Sequence, residues 1–236
     1  MWDDAATRTH AQPLFLPPFL PPSLSPPPQP PPPTHTHAHS FTTLLPLPSA
    51  GTSVRRMGPS AWATAVSPPG TTLEDARSSS FGVLFGYIAK NGYEMTAPVL
   101  TRVAGDGSVR VSFLLPASVG APADGSAQGV VVESLPAQTF AVKPFKGAAS
   151  APSTWEGLAT AARALTAEAA SAQLALAAPV PAEQPEQNGK AASAGTVVGP
   201  GVWYAGYSSP MTPPGAKYSE VWLPVAEGAV IPGVAP

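Results

Sequence analysis

The pattern of apolar and polar residues along the chain predicts two helices separated by strands. The first helix begins at Thr72, whose side chain can cap it, and closes at Asn91-Gly92. The residues at helical spacing along it are Leu73, Arg77, Phe81, Leu84, Phe85 and Ile88. The second helix begins at a capping box formed by Ser153 and Glu156 and ends before Pro179. Its apolar stripe consists of Trp155, Leu158, Ala162, Leu165, Ala169 and Ala172.

Short apolar runs bounded by turn residues predict the strands. In the first half, a strand bends at Gly58-Pro59, and a hairpin joins 95–103 to 109–115 through Gly105-Asp106-Gly107. Residues 130–133 form a short strand or an extended link. The strands of the second half are 139–145, 202–207 and 219–225. Because strands that follow each other tend to pair antiparallel, two helices should cover one curved sheet, which is an α+β fold.

A short motif occurs twice and divides the folded part into two repeats. Met95-Thr96-Ala97-Pro98 follows the first helix, and Met211-Thr212-Pro213-Pro214 follows the second. Each copy precedes an apolar strand that ends in proline. The order strand, helix, strand, strand therefore occurs twice, in a first repeat of about residues 51–116 and a second of about 137–225. The motif itself is predicted to be architectural, because its threonines precede prolines and suit turns.

Composition separates a tail from this folded part. Of the 33 prolines among 236 residues, 14 lie between Pro13 and Pro48. Such runs favour polyproline II and cannot form a packed core, so residues 1–50 are predicted to be a disordered proline-rich tail. Residues 51–236 form the predicted domain, and its polar Pro/Gly/Ala-rich segment 179–199 is predicted to be a mobile insertion.

Charge and residue types exclude several classes of function. A net charge of −2 with 11% charged residues gives no attraction to nucleic acid or anionic lipid, and no apolar run reaches the length of a membrane span. The chain has no cysteine, and its histidines all lie in the tail, so a thiolate or histidine site is not predicted in the domain. Catalysis and a metal site are therefore not expected. We predict an intracellular protein, cytoplasmic or chloroplast, because the tail has no clear targeting pattern.

Several segments together resemble the SOUL/haem-binding protein family. They are Arg55-Arg56 with Trp62-Ala63, Phe81-x-x-Leu84-Phe85-Gly86-Tyr87-Ile88, Met95-Thr96-Ala97-Pro98-Val99, Val111-Ser112-Phe113-Leu114-Leu115-Pro116 and Glu220-Val221-Trp222-Leu223-Pro224. The resemblance implies a distorted antiparallel β-barrel of two βαββ repeats with two helices packed outside. It also implies a non-enzymatic protein that binds haem or another tetrapyrrole in an apolar pocket. Members of the family carry one more strand ahead of Arg55-Arg56, where this chain has its tail.

The resemblance also suggests which residues would contact the ligand. Arginine and lysine side chains suit haem propionates, and the candidates are Arg55, Arg56 and Lys143; the alternative is that they line an exposed strand face. The apolar wall would come from Phe81, Leu84 and Ile88, which would otherwise be core residues. The iron would be bound by Met57, by Tyr87 or by no protein ligand, and both side chains have ordinary structural roles as alternatives.

Two functions are therefore predicted. The first is haem or tetrapyrrole binding, for buffering or transport, through an apolar pocket with cationic anchoring of the propionates. The alternative is a protein-interaction module that binds a protein partner through the pocket or through the proline-rich tail. A sensor of apolar, drug-like ligands is a third hypothesis.

Overall fold

In the computed structural model, one antiparallel sheet of nine strands is covered on one face by two helices. The described residues are 41–120, 122–177, 201–209 and 211–234. The predicted insertion 179–199, the four histidines and most of the predicted tail lie outside them. The elements are β1 (Phe41–Pro46), β2 (Ser53–Met57), β3 (Ser60–Ser67), α1 (Leu73–Lys90), β4 (Val99–Val103), β5 (Val109–Leu114), β6 (Val130–Leu135), β7 (Gln138–Lys146), α2 (Trp155–Ser171), β8 (Trp203–Gly206) and β9 (Tyr218–Pro224).

The strand order across the sheet is β1-β2-β7-β9-β8-β4-β5-β3-β6, and every neighbouring pair is antiparallel. Helix α1 packs on β3, β5 and β6, whereas α2 packs on β7 and β9. The sheet curls, with both helices on its outer face. This arrangement confirms the predicted α+β fold with a distorted antiparallel barrel.

The two βαββ segments meet at the pairing of β4 with β8, where Arg102 lies opposite Trp203. On one side the order is β4-β5-β3 and on the other β8-β9-β7, so the strands flanking each helix have the same arrangement. The strand that precedes each segment crosses to the other one: β2 pairs with β7, and β6 pairs with β3. The duplication of the sequence stays a prediction.

Strand β1 lies inside the residues 1–50 predicted to be tail. Phe41 pairs with Met57 and Thr43 with Arg55, and the Phe41 ring packs edge-on against Trp222 with centroids 5.3 Å apart. The short run Phe41-Thr42-Thr43-Leu44-Leu45 has strand-forming residues, but it stands between prolines and is therefore hard to recognise as a strand in the sequence. The fold therefore begins earlier than predicted, and β1 covers the edge that β2 would otherwise expose.

The helix boundaries follow their caps. At α1, the Thr72 hydroxyl accepts the Asp75 N–H at 3.0 Å, as predicted. At α2, the capping residue is Thr154, which accepts the Gly157 N–H at 3.1 Å, so the predicted capping box of Ser153 and Glu156 is wrong by one residue. Both side chains can cap a helix, and the extended backbone of Thr154 places its hydroxyl over the first turn.

The apolar residues form three clusters, two between the helices and the sheet and one on the inner face of the sheet. The α1 cluster includes Leu84, Tyr87 and Ile88, and the α2 cluster includes Leu158 and Leu165. The inner-face cluster consists of Met57, Trp62, Leu100, Leu114, Phe140, Val142, Trp203, Ala205 and Trp222. Both faces of the sheet are thus packed, and functional groups must be sought at their margins.

Candidate ligand-binding site

The outer surface of α1 carries an exposed pair of aromatic rings. Phe81 and Phe85 lie one turn apart, and their rings are stacked with centroids 6.0 Å apart and an interplanar angle of 9°. Phe81 is held from below by Phe113, edge-on at 5.4 Å, whereas Phe85 is 50% exposed. An exposed phenylalanine one turn from a partly buried one makes a fixed apolar surface that is open to solvent.

Two glycines extend this surface and keep it free of side chains. Gly82 and Gly86 are exposed in the middle of α1, and a Cβ atom added to either would meet nothing within 4 Å. A glycine in a helix interior costs about 1 kcal/mol relative to alanine. Packing within the described residues does not require these glycines. They leave room for a flat group to approach the helix backbone beside Phe85.

Arg77 places a positive charge at one end of the surface. It lies one turn before Phe81, and its guanidinium stacks 4.8 Å from the centroid of the Tyr204 ring. The Nη2 atom of Arg77 is 4.0 Å from where a Cβ of Gly206 would lie, which places Arg77 above the junction of the two segments. Arg77 was included in the helical stripe but not among the predicted site residues. The signal that could have identified it is its position one turn before Phe81.

The predicted residues Leu84, Tyr87 and Ile88 lie beneath this surface, in the core. All three are buried, so their side chains support α1 from the sheet side. The Tyr87 hydroxyl donates to the Ala123 carbonyl at 2.6 Å. Burial raises the pKa of Tyr87, and the neighbouring Tyr93 adds to the effect. Of the predicted wall residues, Phe81 therefore lies in the aromatic pair at the surface, whereas Leu84 and Ile88 lie in the core.

Arg55 and Met57 lie on the inner face of the sheet, away from α1. Arg55 donates to Glu220 at 2.7 Å, and Met57 is fully buried in the inner-face cluster. Burial opposes the charge of Arg55, but Glu220 outweighs it and raises the pKa of the guanidinium. The structure therefore brings Arg55 and Met57 together, but not with Phe81.

Glu220 is the centre of a closed hydrogen-bond cluster. Its carboxylate is 1% exposed and accepts from Arg55, Tyr207, Tyr218 and Trp222 at 2.6 to 2.8 Å. Burial raises the pKa of Tyr207 and of Tyr218, and the adjacent negative charge of Glu220 raises both further. Both oxygens of Glu220 have two donors each, so this cluster has no unused acceptor facing a ligand.

Arg56 and Lys143, the other predicted anchors, lie elsewhere again. Arg56 is exposed on β2, opposite Thr42 and Thr139. Lys143 on β7 donates to Glu168 of α2 at 2.6 Å. Burial opposes the charge of Glu168, but the hydrogen bond from Lys143 lowers its pKa. The eight predicted site residues are thus distributed over α1, the inner face and the second segment.

A second charged cluster on the inner face was not predicted. Glu133 of β6 accepts from Arg102 and from Thr64, each at 2.7 Å, and it is also paired with Arg110. Burial alone would raise the pKa of Glu133, but the Thr64 hydrogen bond and the two arginines lower it. The three charges come from three strands, so no local pattern in the sequence indicates the cluster.

In the described part of the chain, no group of three or more His, Cys, Asp or Glu side chains could hold a metal ion. No helix in the same ranges has the length and apolar character needed to cross a membrane.

Comparisons with known proteins identify a family and a fold. The model of a family described as SOUL heme-binding protein matches residues 36–224. The crystal structure of the EcmrR C-terminal domain is 10% identical, with a TM-score of 0.51, and the match covers 74% of this chain and 96% of that one. At this identity the likeness concerns the fold alone.

Two further structures are similar at lower scores. SAV2435 bound to tetraphenylphosphonium is 11% identical with a TM-score of 0.38, and the match covers 74% of this chain and 93% of that one. A hydrolase from Listeria innocua is 12% identical with a TM-score of 0.38, and the match covers 73% and 91% of the two chains. Scores this low carry no argument about ligand or activity. No curated protein sequence matches the chain.

Proposed function

The chain belongs to the SOUL heme-binding protein family, and from that membership we propose that it binds haem or a related tetrapyrrole, without catalysis, to buffer or carry it. The observation that carries the proposal is the α1 surface. There, an exposed stacked pair, Phe81 and Phe85, lies beside the open glycines Gly82 and Gly86. A tetrapyrrole is a flat apolar disc with acidic side chains at its edge, and this surface offers an exposed ring and open helix backbone to the disc and the Arg77 guanidinium to an acidic group.

In the proposed complex, Phe85 and the open helix backbone at Gly82 and Gly86 would hold the macrocycle by apolar contact. Arg77 lies at one end of this surface, where a guanidinium can pair with a propionate. Leu84, Tyr87 and Ile88 would act from beneath, by fixing the height and rotation of α1. The buried Met57 and the hydrogen-bonded Tyr87 would not reach the iron of a surface-bound haem, so we infer that neither ligates it.

The predicted roles of Arg55, Arg56 and Lys143 as propionate anchors stay predictions. The Arg56 side chain is exposed and has no hydrogen bond or ion pair to another described residue, so within those ranges it would release no partner to pair with a carboxylate. Arg55 and Lys143 would each first have to release a carboxylate of the protein, Glu220 or Glu168. We therefore rank Arg77 before these three as the residue that anchors a propionate.

The test is a titration of the full chain with haemin, followed by the Soret absorbance. We expect saturable binding at micromolar haemin. Gly86→Glu should weaken it at least about tenfold, because a side chain and a negative charge then occupy the open surface. The matched control is Ala164→Glu, at an exposed position of α2, which should bind like the wild type. Both positions are exposed, so neither variant disturbs the core.

Two outcomes would contradict the proposal at different levels. If haemin causes no saturable change in the wild type, the chain does not bind haem. If the wild type binds but Gly86→Glu and Ala164→Glu are equally affected, the ligand lies elsewhere. The buried Leu84 is unsuitable for such a test, because a polar residue there would unfold the domain rather than probe the surface.

The alternative function, a protein-interaction module, depends on residues 26–33 of the tail, a run of prolines with one glutamine. Deletion of residues 1–40 separates the two functions. The deletion stops at residue 40 because β1 begins at Phe41. Haem binding through α1 should survive it, whereas capture of a partner through the tail should be lost.

A further inference from the structure

Two arginines face each other on the inner side of the sheet, next to the β4–β5 hairpin. Arg102 and Arg110 are direct register partners on these strands. Like charges in such positions repel, and the cost is reduced here because both arginines pair with the one carboxylate of Glu133. Glu133 reaches them from β6, across Thr64 of β3. The cluster therefore holds two positive charges and one negative charge.

The donors of this cluster exceed its acceptors. Arg102 uses its Nη2 group on Glu133 and Arg110 uses its Nη1 group, so among the described residues each guanidinium makes a single hydrogen bond instead of a two-pronged one. The Arg110 Nε atom is buried and has no hydrogen-bond partner in the described part of the chain. Such a donor is costly to leave unpaired. Because Glu133 stays ionised, one positive charge is left over.

Exposed apolar side chains adjoin the unused donors. Val66 of β3 is the register partner of Arg110 and is 47% exposed. Val131 of β6 pairs with Thr64, lies diagonally from Val66 on the same face, and is 52% exposed. On the other side, the Arg102 guanidinium lies 5.1 Å from the centroid of the Trp203 ring, which holds it in place. The apolar and cationic groups thus form one continuous strip.

We propose that this strip, which we call the arginine rim (Arg102, Arg110, Glu133, Val66 and Val131), binds an organic monoanion that has a carboxylate head and an apolar body. The carboxylate would accept from the unused guanidinium donors of Arg102 and Arg110, including Arg110 Nε. The apolar body would cover Val66 and Val131. The inference does not depend on haem binding, because the arginine rim lies on the opposite face of the sheet from α1.

The charge count selects the class of ligand. Glu133 already neutralises one arginine, so a monoanion brings the cluster to neutrality, whereas a dianion such as a phosphate monoester would face Glu133 with a surplus negative charge. Planar two-oxygen acceptors also match the fork of a guanidinium. The two valines favour a ligand whose apolar part starts close to the carboxylate, as in a fatty acid.

The experiment uses the full chain and three probes of related structure. Decanoate has both the carboxylate and the apolar chain, decanol lacks the charge, and acetate lacks the chain. We expect decanoate to bind saturably at one site by calorimetry and to shift the Arg110 Nε–H signal in a nitrogen–proton spectrum. Decanol and acetate should each bind at least about tenfold more weakly.

Variants locate the site. Arg110→Gln should weaken decanoate binding at least about tenfold, because it removes the charge and the unpaired Nε donor. Val131→Ser should weaken it about threefold, which corresponds to the loss of a small apolar contact. The control is Arg163→Gln on the exposed side of α2, where binding should be unchanged. Gly86→Glu should also leave decanoate binding unchanged, so failure at α1 and failure at the arginine rim are distinguishable.

Three outcomes would overturn the proposal. Equal binding of decanol and decanoate would mean that the charge plays no part. Equal binding by Arg110→Gln and the wild type would place the ligand elsewhere, and unfolding of that variant is checked by its far-ultraviolet circular dichroism. If Arg110→Gln does not fold, two other measurements decide whether decanoate binds at the arginine rim. They are the affinity of Val131→Ser and the shift of the Arg110 Nε–H signal in the wild type. An unchanged Nε–H signal at saturating decanoate would reject the arginine rim.

Discussion

The two βαββ segments have the same strand arrangement, but their helices present different surfaces. Helix α1 exposes Phe85 and two glycines that have open space around them. Helix α2 has one glycine, Gly157, in its first turn, where a Cβ would make ordinary contacts with Pro152 and Thr154. Two leucines and four alanines make up its buried stripe. Packing therefore accounts for the sequence of α2 but leaves that of α1 partly unexplained.

The inner face of the sheet repeats this difference. In the second segment, Glu220 is sealed, and each of its oxygens has two donors. Beside the first segment, on β6, Glu133 is 15% exposed and is shared by two arginines that have donors to spare. Of these two carboxylates, the one in the second segment, which we call the sealed half, is thus closed, and the one on β6 is not. We infer that the inner face meets a ligand beside Glu133 rather than beside Glu220.

The largest expected effect comes from removing the charge of Glu220 in the sealed half. Glu220→Gln removes the charge that compensates Arg55 in a buried setting, and such a loss costs about 3 to 5 kcal/mol of unfolding free energy. Glu133→Gln should cost less, about 2 kcal/mol, because Glu133 itself is 15% exposed against 1% for Glu220, although its loss leaves Arg102 and Arg110 facing each other. Urea unfolding followed by tryptophan fluorescence measures both. Equal losses for the two variants would remove the contrast between a sealed and an open carboxylate.

The next effect concerns the exposed ring of α1. Phe85→Ala should weaken haemin binding about tenfold, since it removes the ring on which the macrocycle lies, while stability changes little at a half-exposed position. The matched control is Val83→Ala on the same helix, where Val83 is 40% exposed but away from the Phe81–Phe85 pair. Haemin titrations of the two variants compare them directly. A stronger loss in Val83→Ala would put the ligand on the other side of α1.

Most of the architecture was predictable, because each element carries its own local signal. Helix α1 was predicted from its cap and its stripe, and the β4–β5 hairpin from Gly105-Asp106-Gly107. Strand β1 was missed because prolines surround a run too short to stand out. The predicted cap of α2 is one residue too early. Ser153 and Thr154 are equally suitable capping residues, and only the backbone conformation decides between them.

The candidate site was less predictable, because side-chain exposure and pairing between distant strands leave no local trace. Periodicity placed Phe81 and Leu84 on one stripe, but only the packing of α1 separates the accessible Phe81 from the buried Leu84. The sequence alone does not show that Arg55 on β2 is paired, because its partner Glu220 lies on the distant strand β9. The Arg102–Glu133–Arg110 cluster likewise depends on strands far apart in the chain.

A smaller change in stability is expected when single glycines are replaced by alanine. Gly86→Ala should stabilise the ligand-free protein by about 1 kcal/mol, because alanine favours the helix and the added Cβ meets nothing. Gly51→Ala, just ahead of β2, should do the opposite: Gly51 has φ +79°, and its Cβ would lie 2.9 Å from Pro144 Cγ of β7. Thermal unfolding of both variants gives the two signs. A destabilised Gly86→Ala would show that the fold itself requires this glycine.

The smallest expected effect is a loss of stability at alkaline pH, to which two tyrosines of the sealed half contribute. The pKa values of Tyr207 and Tyr218 are raised in the folded protein, chiefly by burial and then by Glu220. Their contribution is complete below the ordinary tyrosine pKa of about 10 and is lost as the pH rises through and above it, because the unfolded chain then releases protons that the folded one retains.

At pH 10 this loss is at most about 0.4 kcal/mol for each tyrosine, since an ordinary tyrosine is then half ionised. The measurement is the change in unfolding free energy between pH 8 and pH 10, compared between the wild type and Tyr218→Phe. The variant should lose less on this change of pH, whatever its stability at pH 8, because phenylalanine cannot ionise. If Tyr218→Phe kept the pH dependence of the wild type, the proton on Tyr218 would not be held by the Glu220 cluster, and the sealed half would be no more closed to solvent than the arginine rim.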